Sequence, residues 1–528
     1  MVDEKRFIPK TMTTQHPDNA NTPPWASSTN GVIEGETELD EAFIAYSKLA
    51  CTEVMWDSEG KDVDTNVVRK LLSKYSDYFT DNVFGRDIFL TYRIPNPLVE
   101  KAERKIVIQT LQSIPLQSDV ASAFYERSAV PVTAVILPFT TKGAELLWLD
   151  RCYSKAIAGI EDIGLGGSMK VKDWVGGFIP KRIDAIPLVE DAVSLMSIDK
   201  IVLEYIKVVE PDTMRVFIAR SDPALNYGLI TAVLLAKVAL SKLSEVQKRT
   251  GVKLNPILGV GTMPFRGHLN PENLDNFLLE YKGLSTVTIQ SAFRYDYPAD
   301  TVEHAIASLN QLLPNGEMSE IDKDQLLLLE AAMKKLIPVF QSRVEILAPL
   351  INYVASFIPT RRARKLHIGL FGYSRKVKGV TMPRAIPFAA AFYSLGIPPE
   401  FIGAQALRSL TDKELDAVRE CYRRIQFDYR VAGSLVSWET VHLLVDKYDL
   451  MAKITQMNKE KLKAALRFVM ADLSTIEETL SLPLGPSDNR SKKHENFINT
   501  FMMSAMDGER SSASNAFIEA AKLRRCLG

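Results

Sequence analysis

Eight short runs rich in apolar and β-branched residues recur along the 528-residue chain, at 53–56, 88–92, 132–137, 185–189, 215–219, 256–260, 286–289 and 366–371. Each leads into polar or charged residues and then into a longer stretch with helical spacing. Strands that alternate with helices pair in parallel, because each crossover helix returns the chain to the same end of the sheet. Eight such units predict an α/β chain built as a (β/α)8 TIM-type barrel with extra helices. Hydrophobic residues make up 46% of the chain, enough to bury both the inside of a barrel and the layer between its strands and helices.

Past about residue 410 the strand signal stops. Helices are expected at 412–426, 438–448, 459–480 and 512–527, with a polar loop at 485–496. The chain therefore divides into a barrel with its N-terminal segment, 1–410, and a helical C-terminal region packed on it, 411–528. Within the barrel, 228–249 and 322–347 have helical apolar spacing, the second with Pro338 as a kink.

Lys plus Arg and Asp plus Glu number 64 each. There is no global field to gather nucleic acid or an anionic membrane, so an anionic ligand must be held by local arginines. Cys51, Cys152, Cys421 and Cys526 are scattered with no CxxC, against a zinc site or disulfide framework and in favour of a reducing cytoplasm. The N-terminus has no apolar core of a signal peptide. The most apolar uncharged stretch, 385–399, contains three prolines and is too short to span a bilayer. The glycine-bearing loops 164–167 (GLGG) and 259–267 (GVGTMPFRG) match no nucleotide-binding pattern, so no nucleotide is expected.

In such a barrel, chemistry sits where strands end and βα loops begin. Arginines follow five of the runs: Arg93, Arg220, Arg266, Arg294 and Arg375. Converging guanidinium groups repel one another unless an anion such as phosphate or carboxylate lies among them. Glu190 and Asp222 follow neighbouring runs, and adjacent strands lie about 4.8 Å apart. Two carboxylates so placed suit a hard cation, Mg²⁺ or Mn²⁺, which takes the rest of its shell from water and substrate. The competing reading is that each carboxylate only caps the helix that follows it.

One histidine stands outside any periodic pattern, in TMTTQHPDNANTPPW at residues 11–25. Neither core packing nor helix spacing explains His16. The segment Thr14–Asn19 (TQHPDN) resembles an element of phosphoenolpyruvate carboxylases of the short, archaeal type, and the resemblance extends over essentially the whole chain. It implies that His16 is the catalytic histidine, that Glu190 in IPLVED and Asp222 in ARSDPALNYG bind the metal, and that Arg266 in PFRGH handles bicarbonate and phosphate. YSRKVKGVTMPRAIPF resembles a segment with two active-site arginines, implying Arg375 and Arg384, with Arg93 and Arg294 as further substrate-binding residues. Leu258, Val260 and Leu225 stand where longer members carry histidine, arginine and lysine, so those roles are not carried over, and neither is an effector site.

The resemblance implies that phosphoenolpyruvate and bicarbonate give oxaloacetate and phosphate, through carboxyphosphate and the enolate of pyruvate. It also implies a divalent metal, no biotin and a homotetramer. The enolate must meet CO2 in a dry pocket, and the loop 164–177 is a candidate lid. An alternative is another divalent-metal barrel lyase or mutase acting on phosphoenolpyruvate or oxaloacetate. A different class of reading is a non-catalytic helical scaffold.

Overall fold

A computed structural model describes residues 7–29, 31–58, 64–102, 104–362, 375–377 and 380–528. Its centre is a closed barrel of eight parallel strands: β1 Thr11–Thr13, β2 Glu53–Asp57, β3 Phe89–Arg93, β4 Ala134–Leu137, β5 Asp184–Val189, β6 Thr213–Ala219, β7 Lys253–Gly259 and β8 Thr286–Ile289. Strands adjacent in the chain are adjacent in the barrel, and β1 closes it by pairing with β8 (Met12↔Thr288) and with β2 (Met12↔Glu53). Seven of the eight expected strands are therefore present. The eighth, 366–371, lies outside the described residues, and Thr11–Thr13 supplies a strand that the sequence reading did not foresee. The N-terminal segment reaches the rim as a barrel strand.

Side chains alternate along each strand, so half of them face the barrel axis. Met12, Met55, Ile136, Leu188, Phe217 and Ile257 form a dry plug there. Nearer the N-terminal ends of the strands, Arg215 makes a two-pronged ion pair with Glu53, 2.7 Å on each arm, and also donates to Thr286 Oγ1. A charge buried this deeply is tolerable only when paired and hydrogen-bonded. The larger apolar core lies between the strands and the surrounding helices, and includes the deeply buried helix Leu229–Thr250.

The helix Lys323–Ala355 is capped by Asp322 and runs on through Pro338 and Pro349, further than the expected end at 347. It brings the chain back to the rim at residues 358–362. Beyond 410 the helices are Asp412–Cys421, Ile425–Gly433, Trp438–Asp446, Tyr448–Thr455, Lys459–Leu480, Asn489–Met506 and Arg510–Arg524. The expected polar loop is shorter than foreseen, because Asp488 accepts from Ser491 N and caps a helix already at 489. Among the described residues, no single helix is long and apolar enough to cross a membrane.

The loop 164–177 corrects an expectation. It follows the helix Gly143–Arg151 and precedes β5, and so belongs to the αβ connections at the N-terminal end of the barrel. It forms a small hairpin and a short helix at the end opposite the rim, where it can close over nothing catalytic.

Candidate active site

The C-terminal ends of the strands surround a cavity of about 420 Å³. Six of the expected residues line it: His16 after β1, Arg93 at the end of β3, Glu190 after β5, Asp222 after β6, Arg266 in the loop after β7, and Arg384 at the start of the helix Ala385–Ser394. They come from widely separated stretches of chain and meet because each terminates a strand of one barrel or packs over its rim.

His16 is half-buried, and its Nδ1 lies 2.8 Å from Thr14 Oγ1, which fixes the ring relative to its own loop. That loop is held from three sides. Asp18 is fully buried: Oδ1 accepts from Ala292 N at 2.7 Å, and Oδ2 takes Arg266 Nη1 at 3.0 Å. Asp296 accepts the N–H groups of Ala20 and Asn21 at 2.6 and 2.7 Å. Burial pushes the Asp18 carboxyl above its ordinary range despite the opposing pull of Arg266, and pushes Asp296 up to about 7. Arg361 donates to Ala20 O and to Thr22 Oγ1.

The cavity wall is strongly cationic. Arg93 is bound to Asp57 through Nε and Nη2, and Arg266 also donates to Gln290, to Ser221 Oγ at 3.3 Å and to the Gly528 carbonyl at 2.7 Å. Arg220 donates to the Tyr281 hydroxyl and the carbonyls of Phe265 and Pro264, all neutral acceptors. Arg361 and Arg362 also face the cavity, and the strand-end rule passes over them because they follow a long helix. Arg362 is paired with Glu38 and Glu41. The two adjacent arginines at the end of that helical stretch were the available signal.

One expected arginine is placed differently. Arg294 lies outside the cavity lining. Its guanidinium pairs with Glu41 at 3.0 Å and donates to Thr14 O at 2.9 Å, so it braces the His16 segment from behind. Arg375 opens the strand Arg375–Val377 of a two-stranded hairpin, opposite Met382.

Glu190 and Asp222 enter the cavity from neighbouring strands, β5 and β6. Helix capping does not explain Glu190, while Asp222 lies in the first turn of the helix Ser221–Tyr227. The cap of Ala192–Met196 is Asp191, which accepts from Ser194 N. Glu190 instead accepts from Phe139 N at 2.8 Å, in a turn where Phe139 has φ of 52°. Among the described residues there is no cluster of three or more His, Cys, Asp or Glu. A cation here would therefore have a carboxylate pair as protein ligands and open positions for water and substrate, the habit of Mg²⁺.

Behind Arg266, the loop after β7 is tied to the helical region. Phe265 N donates to Glu400 Oε1 at 3.0 Å, and Tyr393 donates to the same oxygen at 2.7 Å. His268 Nδ1 lies 2.5 Å from Asp428, which also accepts from the Tyr422 hydroxyl.

A parallel barrel whose rim joins a histidine, a carboxylate pair and several arginines is the architecture of an enzyme acting on a small polyanion. The sequence profile described as phosphoenolpyruvate carboxylase matches residues 8–528. The phosphoenolpyruvate carboxylase of Metallosphaera sedula is 44% identical over 529 positions, covering 99% of this chain and 100% of its own. That of Caldivirga maquilingensis is 42% identical, with 99% and 100% covered, and that of Pyrococcus abyssi 45% identical, with 82% and 89% covered. The chain belongs to the phosphoenolpyruvate carboxylase family.

Proposed function

We propose that the chain joins phosphoenolpyruvate and bicarbonate to give oxaloacetate and inorganic phosphate, with His16 as proton acceptor. The observation that carries this is the meeting of His16, Glu190, Asp222, Arg93, Arg266 and Arg384 around one cavity. Glu190 and Asp222 would hold Mg²⁺ or Mn²⁺, which as a Lewis acid would polarise phosphate and enol oxygens. Arg266, Arg361 and Arg384 bind the phosphate and carboxylate groups, and Arg93 and Arg375 complete the anion-binding set. Arg294 acts through Thr14, as a positioning residue.

Bicarbonate oxygen attacks phosphorus, and the enolate of pyruvate leaves with its charge opposed by the arginines. His16 takes the proton of carboxyphosphate, which then splits to CO2 and phosphate, and CO2 accepts the enolate carbon. The enclosing wall of Ile358, Pro359 and Ile386 keeps water from protonating the enolate first. The pairing of His268 with Asp428 supports a C-terminal region, 411–528, that packs on the barrel and helps shape the β7 loop. Four unpaired cysteines suit a reducing cytoplasm, and the proposed assembly is a homotetramer. Neither biotin nor nucleotide has a part in the mechanism.

The test is oxaloacetate formation from phosphoenolpyruvate, with bicarbonate and Mg²⁺ each present or omitted. Product that requires both is expected. Phosphate release independent of bicarbonate would point instead to a lyase or mutase of related substrates.

A further inference from the structure

At the end of the barrel opposite the cavity, the chain between the helix Gly143–Arg151 and β5 leaves the body of the protein. After Cys152–Ile157 and Ala158–Asp162 it forms an antiparallel hairpin, Gly164–Gly166 with Met169–Lys170, and then the short helix Val171–Val175. A Cβ added at Gly164, Gly166, Gly167 or Gly176 would meet no atom within 4 Å, so this arm stands in open solvent. Its surface is nonetheless apolar. Ile163, Leu165, Met169, Trp174, Val175 and Ile179 are between 40% and 76% exposed, Trp174 the most. Clustered large apolar groups on a surface mark an interaction site, whereas single scattered ones need no explanation.

We propose that this arm is a self-association surface, pairing with the same arm of a second copy of the chain across a twofold axis. Charge favours this occupant. The stretch 161–181 carries Glu161, Asp162 and Asp173 against Lys170, Lys172 and Lys181, three of each sign. Lys170 and Lys172 pair with Asp162, and Lys181 with Glu161, all within the arm. A neutral surface brought against its own copy meets no repulsion, and it offers no attraction to an anionic membrane or nucleic acid.

Area agrees. Six large apolar side chains at about half exposure present roughly 500 Å² per arm, so two facing arms bury on the order of 1,000 Å², the lower bound for a specific interface. The contact lies at the far end from the cavity and leaves both rims open. It does not depend on the catalytic reading.

The experiment is sedimentation velocity of the full chain at micromolar concentration, for the wild type and for Leu165→Glu with Trp174→Glu. The wild type is expected as an even-numbered assembly. The double variant is expected at half that mass or less, with an unchanged far-ultraviolet circular dichroism spectrum. A monomeric wild type, or a double variant of unchanged mass, overturns the proposal. A second measurement guards against misfolding of the double variant: Ser168→Cys, at the hairpin tip, in a Cys152→Ser background, where the remaining cysteines are buried. Mild oxidation should give a disulfide-linked dimer, and its absence rules out the arm-to-arm arrangement.

Discussion

His16 and Asp18 stand two residues apart and have separable jobs. If His16 accepts the proton of carboxyphosphate, His16→Asn should lower oxaloacetate formation by about 10²- to 10⁴-fold. Bicarbonate-dependent release of phosphate should persist and leave pyruvate. Equal loss of both products would remove the proton-accepting role. Asp18 touches no substrate in this reading, but it holds Arg266 through a buried ion pair. Asp18→Asn keeps the side-chain volume and an acceptor for Ala292 N while removing the charge. A hydrogen bond to a charged group contributes about 1.5–3 kcal/mol, so kcat/KM should fall about 10- to 100-fold, mainly through KM for phosphoenolpyruvate. An unchanged KM would show that Arg266 does not need this anchor. At this scale the sequence was legible wherever a residue ended a strand, as at Arg93, Glu190 and Asp222. Arg361 and Arg362, which no barrel strand delivers, were marked only by their adjacency after a long helical stretch. The sequence also could not distinguish Arg294 from its neighbours, because the carboxylate that claims it, Glu41, lies 253 positions away in the chain.

Between residues and the whole barrel, the elements differ in how plainly they announce themselves. Strands β2 to β8 were visible because each is an apolar run set between polar stretches. Strand β1 is Thr-Met-Thr, three residues with one apolar side chain, and nothing local separates it from a loop. Its pairing partners make it a strand, and their identity is a tertiary fact. The arm at 164–177 shows the converse: its glycines read as a flexible lid, while its position between helix and strand puts it at the wrong end. The turn Pro399–Phe401 carries a testable property of this scale. Glu400 is fully buried, clasps the Arg266 loop through Phe265 N, and has its carboxyl pushed up to about 7 by burial, from an ordinary 4.5. A carboxyl raised in the folded state contributes stability that is fully present below pH 4.5 and is lost as pH rises through 7. Over pH 5 to 8 the wild type should lose up to about 3 kcal/mol relative to Glu400→Gln, which keeps the Oε1 acceptor and cannot ionise. Thermal midpoints of the two proteins across that range would show it. Parallel pH profiles would mean that the folded-state carboxyl of Glu400 ionises near its ordinary 4.5.

For the molecule as a whole, closure of the barrel and assembly of the site are one event. Strand β1 supplies the last two seams, to β8 and to β2. An open barrel would leave two unpaired edges and part the plug of side chains along its axis. Met12 is fully buried in that plug, four positions before His16. Met12→Ala should therefore destabilise the fold by about 2–5 kcal/mol through the cavity it leaves. It should also lower carboxylation more than it lowers Mg²⁺-dependent binding of phosphoenolpyruvate. Glu190 and Asp222 hang from β5 and β6, on the far side of the barrel from the weakened seam, whereas His16 hangs from the weakened strand itself. Denaturant unfolding would give the first quantity, and a comparison of ligand-induced stabilisation with turnover would give the second. If stability falls while the ratio of carboxylation to binding stays constant, the position of His16 is set by the clasp of Asp18, Asp296 and Arg361 alone. In that case strand β1 serves closure and not catalysis.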